Sequence, residues 1–270
     1  RLKELAERQQ QLNERNRMAA RQPASPSSTG GGQGQQQLLE QAEQLRRQLQ
    51  RLSRERSSPQ LADAGRQLEK AIDEMKGALR NSQQRGKSES EARGIRALQQ
   101  LNGAARKLAR GQEAGLSRGL DQAIDESQKL VDEQEKIQEE LHRLAKDKPQ
   151  QDSEEDTIKQ VEDVVSRKTV LADRLKSLGS RIQELSRQAR KTQKAASARL
   201  TEAAEAIREN RLAERILSGN ALLENGYYEN LQQREAYIRG GLENLAAQLE
   251  SARKSLGQDK DGKVDEAANK

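Results

Sequence analysis

Between residues 154 and 217 an apolar or small side chain returns every three or four positions: Val161, Val164, Leu171, Leu175, Leu178, Ile182, Leu185, Ala189, Thr192, Ala196, Ala203 and Ala206. This is the a/d seam of a heptad repeat, interrupted by Lys168 and Arg199, in a stretch with no proline and a single glycine. The pattern predicts one helix over 154–217, roughly 95 Å long at about 1.5 Å per residue and well beyond the helices of ordinary globular domains. Such a helix serves as a coiled-coil arm or as the spine of a bundle.

The same spacing recurs on both sides. Leu2, Leu5 and Leu12 make residues 1–22 the end of a preceding helix, stopped at Pro23, and PASPSSTGGGQG over 23–34 reads as a flexible linker. A helical region over 35–112 follows. It opens on Leu38, Ala42, Leu45, Leu49 and Leu52, resumes after Pro59 with Leu61, Leu68, Ile72, Met75 and Leu79, and passes the polar stretch NSQQRGKSES, a loop. Ile95, Leu98, Leu101, Ala105 and Leu108 then lead to Gly111, Gly115 and Gly119, which share one helix face and leave 111–119 open between a continuous helix and a hinge.

Leu120, Ile124, Leu130, Ile137, Leu141 and Leu144 carry the next seam to residue 146, where KDKPQQDS turns the chain and Ser153, followed by acids, offers a helix N-cap. Residues 113–217 are therefore expected to form an antiparallel helical hairpin. A C-terminal helix over 218–256 follows a break at SGNALLENG, with its seam on Tyr228, Leu231, Ile238, Leu242, Leu245, Leu249 and Leu256. Gly240 and Gly241 mark a kink or a close backbone approach within it, and 257–270 is read as a mobile tail.

Composition narrows the fold to one class. With 32% hydrophobic and 34% charged residues and no Phe, Trp or Cys, the 270 residues cannot fill a deep core, whereas amphipathic helices need only narrow seams. Sustained heptads separate the chain from disordered sequences of similar composition. The expected fold is all-α: an elongated helical bundle or antiparallel coiled coil with a long central helix. Disulfides and thiolate metal sites are excluded, and no apolar run approaches the roughly 20 residues of a membrane span. The chain starts at Arg1 with its seam already running, as expected of a fragment of a longer protein.

Charge alternates along the chain. The net values are +5 for residues 1–56, +5 for 57–112, −8 for 113–156, +6 for 157–217 and −2 for 218–270. An acidic helix joined by a short turn to a basic one favours antiparallel pairing. With the turn near residue 150, residue i lies level with about 300 − i. That register sets Gly103, Ala104, Ala105 and Gly111 against Ala189, Ala195, Ala196 and Ser197, small facing small. It leaves Arg181, Arg187, Arg190, Lys191, Lys194 and Arg199 as a basic patch facing an outside anion, an acidic helix or water.

Catalytic chemistry is hard to place. His142 has no second histidine or cysteine nearby, so neither a metal site nor a catalytic base is expected. The tail DKDGKVDEA fails as a calcium loop, because setting Gly262 at the sixth position puts Gly257 and Ala268 at the first and twelfth, where acids are required. No cofactor is expected. Tyr227, Tyr228 and Tyr237, beside Leu231 and Ile238, form the one aromatic cluster and a candidate partner-binding surface. The competing reading packs those rings on Leu212 and Ile216 as the end cap of a bundle. Three clustered tyrosines make no base-stacking platform, and acids interrupt the positive stripe outside 185–199, which argues against nucleic acid.

TEAAEAIRENRLAERI, followed by NALLENGYYENL, resembles the C-terminal part of an uncharacterised family of large bacterial envelope proteins. Members of that family have N-terminal membrane helices and a long extracytoplasmic region rich in Gln, Glu, Arg and Ala. LAERQQQLNER, EQLRRQLQRL and GLSRGLDQAIDESQKLVDEQEKI are similar in style to its middle portion. The resemblance implies an envelope or periplasmic location and a scaffolding role, and brings no catalytic residue or cofactor. The functional expectation is a non-enzymatic helical scaffold or protein-interaction module, acting on protein partners or on itself through its helices. The alternatives are a basic coiled coil that binds nucleic acid or another polyanion, and the regulatory arm of an enzyme encoded elsewhere in the full chain.

Overall fold

The computed structural model describes residues 1–21, 30–55, 58–83, 87–146 and 154–256, and every regular element among them is an α-helix. In chain order these are α1 (Leu2–Arg21), α2 (Gly30–Glu55), α3 (Pro59–Gln83), α4 (Lys87–Lys146), α5 (Glu154–Ala189), α6 (Lys194–Glu209), α7 (Leu212–Ser218), α8 (Asn220–Glu224) and α9 (Tyr228–Ser255). The fold is an all-α helical bundle that divides into two packing units, Arg1–Ala114 and Gly115–Lys270. No described helix is long and apolar enough to cross a membrane. Helix α4 is continuous over 60 residues and contributes to both units.

The first unit is an up-down four-helix bundle. Arg1, just ahead of α1, and Arg8 of α1 donate to Gln48 and Gln41 of α2, Arg46 and Glu43 of α2 pair with Glu69 and Lys76 of α3, and on α4 Arg96 pairs with Glu74 of α3 while Gly103 and Gly111 face Gln67 and Gln60. In each case rising numbers on one helix meet falling numbers on the next, so every neighbour is antiparallel. Leu5, Leu38, Leu68, Met75 and Leu101 are buried along its axis. Helix α3 begins with Pro59 in the first turn, where a missing N–H costs nothing, and the Ser58 hydroxyl accepts from the Leu61 N–H at 3.4 Å.

The linker expected over 23–34 ends earlier than its composition suggests, because α2 already starts at Gly30. Packing overrides the glycine and glutamine run here. A Cβ at Gly34 would lie 2.7 Å from Leu12 Cδ1, so glycine lets α1 and α2 close together. Gln35, buried, exchanges amide hydrogen bonds with buried Gln9 of α1 at 3.2 and 3.4 Å. Residues 23–29, the turn at 147–153 with Ser153, and the tail 257–270 lie outside the described residues.

The second unit is also built from antiparallel neighbours. Glu133 of α4 meets Arg167 of α5 at 2.7 Å and Glu126 meets Arg174 at 2.8 Å, both obeying the i to 300 − i correspondence. Helix α9 runs back along α4, with Arg239 on Glu135 and Arg253 on Asp121. The space between α5 and α9 is filled by α6, α7 and α8 in succession. Leu120, Leu130, Leu175, Ile182, Leu200, Ile216, Leu242 and Leu249 share its core.

The single helix expected over 154–217 is instead three. Helix α5 stops at Ala189, residues 190–193 turn, and α6 folds back antiparallel, until Arg211 starts α7. No proline or glycine marks the first break. Its cause is tertiary: the Ser186 hydroxyl bonds the Ser197 carbonyl at 3.1 Å, the Ser197 hydroxyl bonds the Ser186 carbonyl at 2.9 Å, and both side chains are buried between the helices. Folding back lets one half of the apolar seam bury the other.

The small residues therefore meet differently from expectation. Ala189, Ala196 and Ser197 are buried where α5 faces α6, whereas Gly103 and Gly111 face Gln67 and Gln60 of α3 and Ala104 belongs to the first core. The longest helix is α4, and 111–119 is helix rather than hinge. Two of its three glycines sit at close approaches, since a Cβ would lie 2.9 Å from Gln60 Cβ at Gly111 and 2.6 Å from Leu185 Cδ2 at Gly119. Helix α9 likewise runs unbroken through Gly240 and Gly241, and Gly241 takes the close approach, against Leu212.

Candidate functional site

The tyrosine surface is smaller than its sequence suggests. Leu231 and Ile238 point inward from α9 and are buried in the core of the second unit, together with Leu212 and Ile216, so neither can meet a partner. The heptad explains this: both occupy the seam of α9, and a seam faces the bundle. Tyr228 is half-buried against the same core. Tyr237 is 48% exposed, but its ring lies beneath the Arg215 guanidinium, 4.6 Å from the ring centroid, and its hydroxyl donates to Asn210 Oδ1 at 3.3 Å. It therefore ties α9 to the junction of α6 and α7. Tyr227, 56% exposed at the N-terminus of α9, keeps a free face.

Three of the six cations of the basic patch are engaged by neighbouring side chains. Arg181 bonds Gln122 of α4, Arg187 bonds Glu184 one turn back at 2.7 Å, and Arg199 bonds Glu202 at 3.1 Å. Arg190, Lys191 and Lys194 are exposed at the turn between α5 and α6. Arg199 stands on α6, across the reversal from Arg181 and Arg187 of α5. His142 lies exposed on α4 with its Nδ1 3.3 Å from Gln232 Nε2, and no cluster of metal-ligating side chains occurs among the described residues.

Sequence reasoning missed the most unusual chemistry in the chain. Lys168 of α5 and Glu235 of α9 are fully buried and bonded to each other, and Gln134 Nε2 of α4 donates to the other oxygen of Glu235 at 2.6 Å. The fourth side of this layer is Gly219, between α7 and α8, where a Cβ would lie 3.2 Å from Lys168 Nζ and 3.4 Å from Glu235 Oε1. Burial pulls the Lys168 ammonium below its ordinary pKa of 10.5, and the Glu235 carboxylate opposes that fall. Gln134 Oε1 has no hydrogen-bond partner among the described residues.

A signal for the layer was present. The apolar seams skip from Leu130 to Ile137, from Val164 to Leu171 and from Leu231 to Ile238, and the three omitted heptad positions are Gln134, Lys168 and Glu235. The first unit repeats the device, skipping from Leu5 to Leu12 at Gln9. Polar residues at single core positions can fix register and partner choice in helical bundles, and the geometry of this layer suits that role.

Around the layer, α4 and α5 neutralise each other. Arg167 is bonded to Glu133 and Glu140, and although its partial burial works against the charge, the two carboxylates hold its pKa above the ordinary arginine value. A hydrogen bond from Arg174 holds the Glu126 carboxyl below its usual 4.5. No family model matches the chain, and neither a curated protein nor a solved structure is significantly similar to it.

Proposed function

We propose that this chain is a non-enzymatic helical scaffold or protein-interaction module, part of a larger bacterial envelope protein. The observation that carries the reading is α4, whose uninterrupted 60 residues supply a helix to each of two separately packed bundles. Such a helix joins two helical surfaces with no intervening loop. The buried polar groups support the same reading, because Lys168, Glu235 and Gln134 are engaged with one another rather than open to a substrate. The envelope placement rests on the resemblance of TEAAEAIRENRLAERI and NALLENGYYENL.

The exposed ring of Tyr227 is the side chain to test as an anchor. Sedimentation velocity over a concentration series, together with chemical cross-linking in envelope fractions, should show a complex that Tyr227→Ser weakens at unchanged helicity and thermal midpoint. A chain that stays monomeric and cross-links to nothing would overturn the proposal. A mobility shift with DNA or RNA that falls steeply with salt would replace it with the nucleic-acid reading.

A further inference from the structure

Where α5, α6 and the start of α7 meet, the second unit opens a groove of about 570 Å³. Its floor is apolar, with Ile207 of α6 lying 3.5 Å from the position a Cβ would take on Gly179 of α5. Its rim carries three cations, Lys176, Arg208 and Arg211, against one carboxylate, Glu214. Lys176 is shared with Asp173 at 3.4 Å, but Arg208 and Arg211 form no ion pair among the described residues. With Asp173 counted beside Lys176, the groove keeps one positive charge in excess, and the two cations in no ion pair among the described residues are both guanidinium groups.

Arg211 adds an independent observation. Its φ of 47° is the only positive value at a non-glycine among the described residues, a backbone state that a side chain disfavours and glycine adopts freely. The left-handed residue turns α6 into α7 at the edge of the groove, and a guanidinium stands at a position where glycine would suit the backbone better. Strain of this kind persists where the surrounding structure enforces it, and it concentrates at binding sites.

We propose that this groove binds a phosphate monoester. Guanidinium forks pair with phosphate oxygens through parallel hydrogen bonds while an ammonium serves as a point charge, and a phosphate monoester carries oxygens enough to engage both guanidinium groups at once. The volume exceeds that of bare phosphate and falls in the range of small-molecule sites, so the apolar floor receives the carbon skeleton of the ester. Two sources present this chemistry: a soluble phosphorylated metabolite, and the monoester headgroup of phosphatidic acid in a membrane.

Calorimetric titration of the 270-residue chain with glycerol 3-phosphate addresses the first source, and co-sedimentation with phosphatidylcholine vesicles, with and without phosphatidic acid, addresses the second. Saturable binding is expected in at least one arm. Arg208→Gln and Arg211→Gly should each weaken it by roughly tenfold or more, the scale of a lost charge-assisted hydrogen bond, with no fall in the thermal midpoint. The proposal is overturned if neither arm saturates, if both variants bind as the parent does, or if sodium chloride at equal ionic strength reproduces the heat.

Discussion

Lys168 and Glu235, sixty-seven residues apart in sequence, share a hydrogen bond in a layer where neither side chain exceeds 1% exposure. Two charges so placed lose their hydration, and the attraction between them only approximately restores it. Such a pair is expected to contribute selectivity more than stability. Of all the ways four apolar-seamed helices can slide past one another, one register brings the ammonium, the carboxylate and the Gln134 amide together.

That argument fixes the sign of a mutational series. Lys168→Met alone strands the Glu235 carboxylate and should lower the unfolding free energy by about 3–5 kcal/mol. Replacing the layer together, with Lys168→Met, Glu235→Leu and Gln134→Leu, should restore the stability of the parent or exceed it by about 1–4 kcal/mol. Urea titrations of the variants measure both. A triple variant whose loss equals the sum of the single losses would show the layer to be a source of stability in its own right.

Adjacent glycines in α9 should respond oppositely to alanine. A Cβ at Gly240 meets nothing within 4 Å, so Gly240→Ala should stabilise the helix by about 1 kcal/mol through backbone entropy. At Gly241 the added methyl would lie 2.6 Å from Leu212 Cδ2, and Gly241→Ala should lose that gain and more as Leu212 is displaced. Thermal midpoints that rise for both variants would contradict the close approach of α9 to α7.

Acid titration should reveal the pairing of α4 with α5. Because Arg174 holds the Glu126 carboxyl below its unfolded value of 4.5, the folded state binds fewer protons than the unfolded state between the two values. The contribution is complete above 4.5 and disappears as pH falls through the folded pKa. For a pair that is partly exposed it amounts to under about 1 kcal/mol. Arg174→Gln should flatten the corresponding part of the stability profile. An unchanged acid slope would place the sensitivity on other carboxylates.

Relief of strain at Arg211 can be read separately from any ligand. Arg211→Gly removes a left-handed side chain at φ 47° and should raise stability by up to about 1 kcal/mol, less what glycine costs by widening the unfolded ensemble. A calorimetric scan in ligand-free buffer measures it. A marked fall in midpoint would mean that the Arg211 side chain itself braces the junction of α6 and α7.

Much of this fold could be read from periodicity, and the reasons for the failures are physical. The antiparallel register of α4 and α5 followed from opposed charge and a short turn, and Glu126 with Arg174 and Glu133 with Arg167 occupy it. The reversal at 190–193 escaped because helix propensity there is good and the turn is rewarded only by tertiary contacts, Ser186 with Ser197 and one half of the apolar seam with the other. The start of α2 escaped for a related reason: glycines that disfavour an isolated helix become useful once Leu12 packs against Gly34. On α9, Leu231 and Ile238 were placed beside tyrosines by proximity in sequence, when their heptad phase already turned them inward. The cations of the groove were illegible, since Lys176 and Arg211 meet only after the chain has folded back.

The continuity of α4 bears on how the molecule can be taken apart. The boundary between the packing units, at Ala114 and Gly115, falls in mid-helix, where a protease meets no extended substrate and a truncation meets no natural terminus. A cut there would leave four carbonyls without partners on one side and four amide N–H groups on the other. Fragments that overlap by two or three turns, each keeping residues 105–125, should therefore be far better behaved than a pair divided cleanly at the boundary.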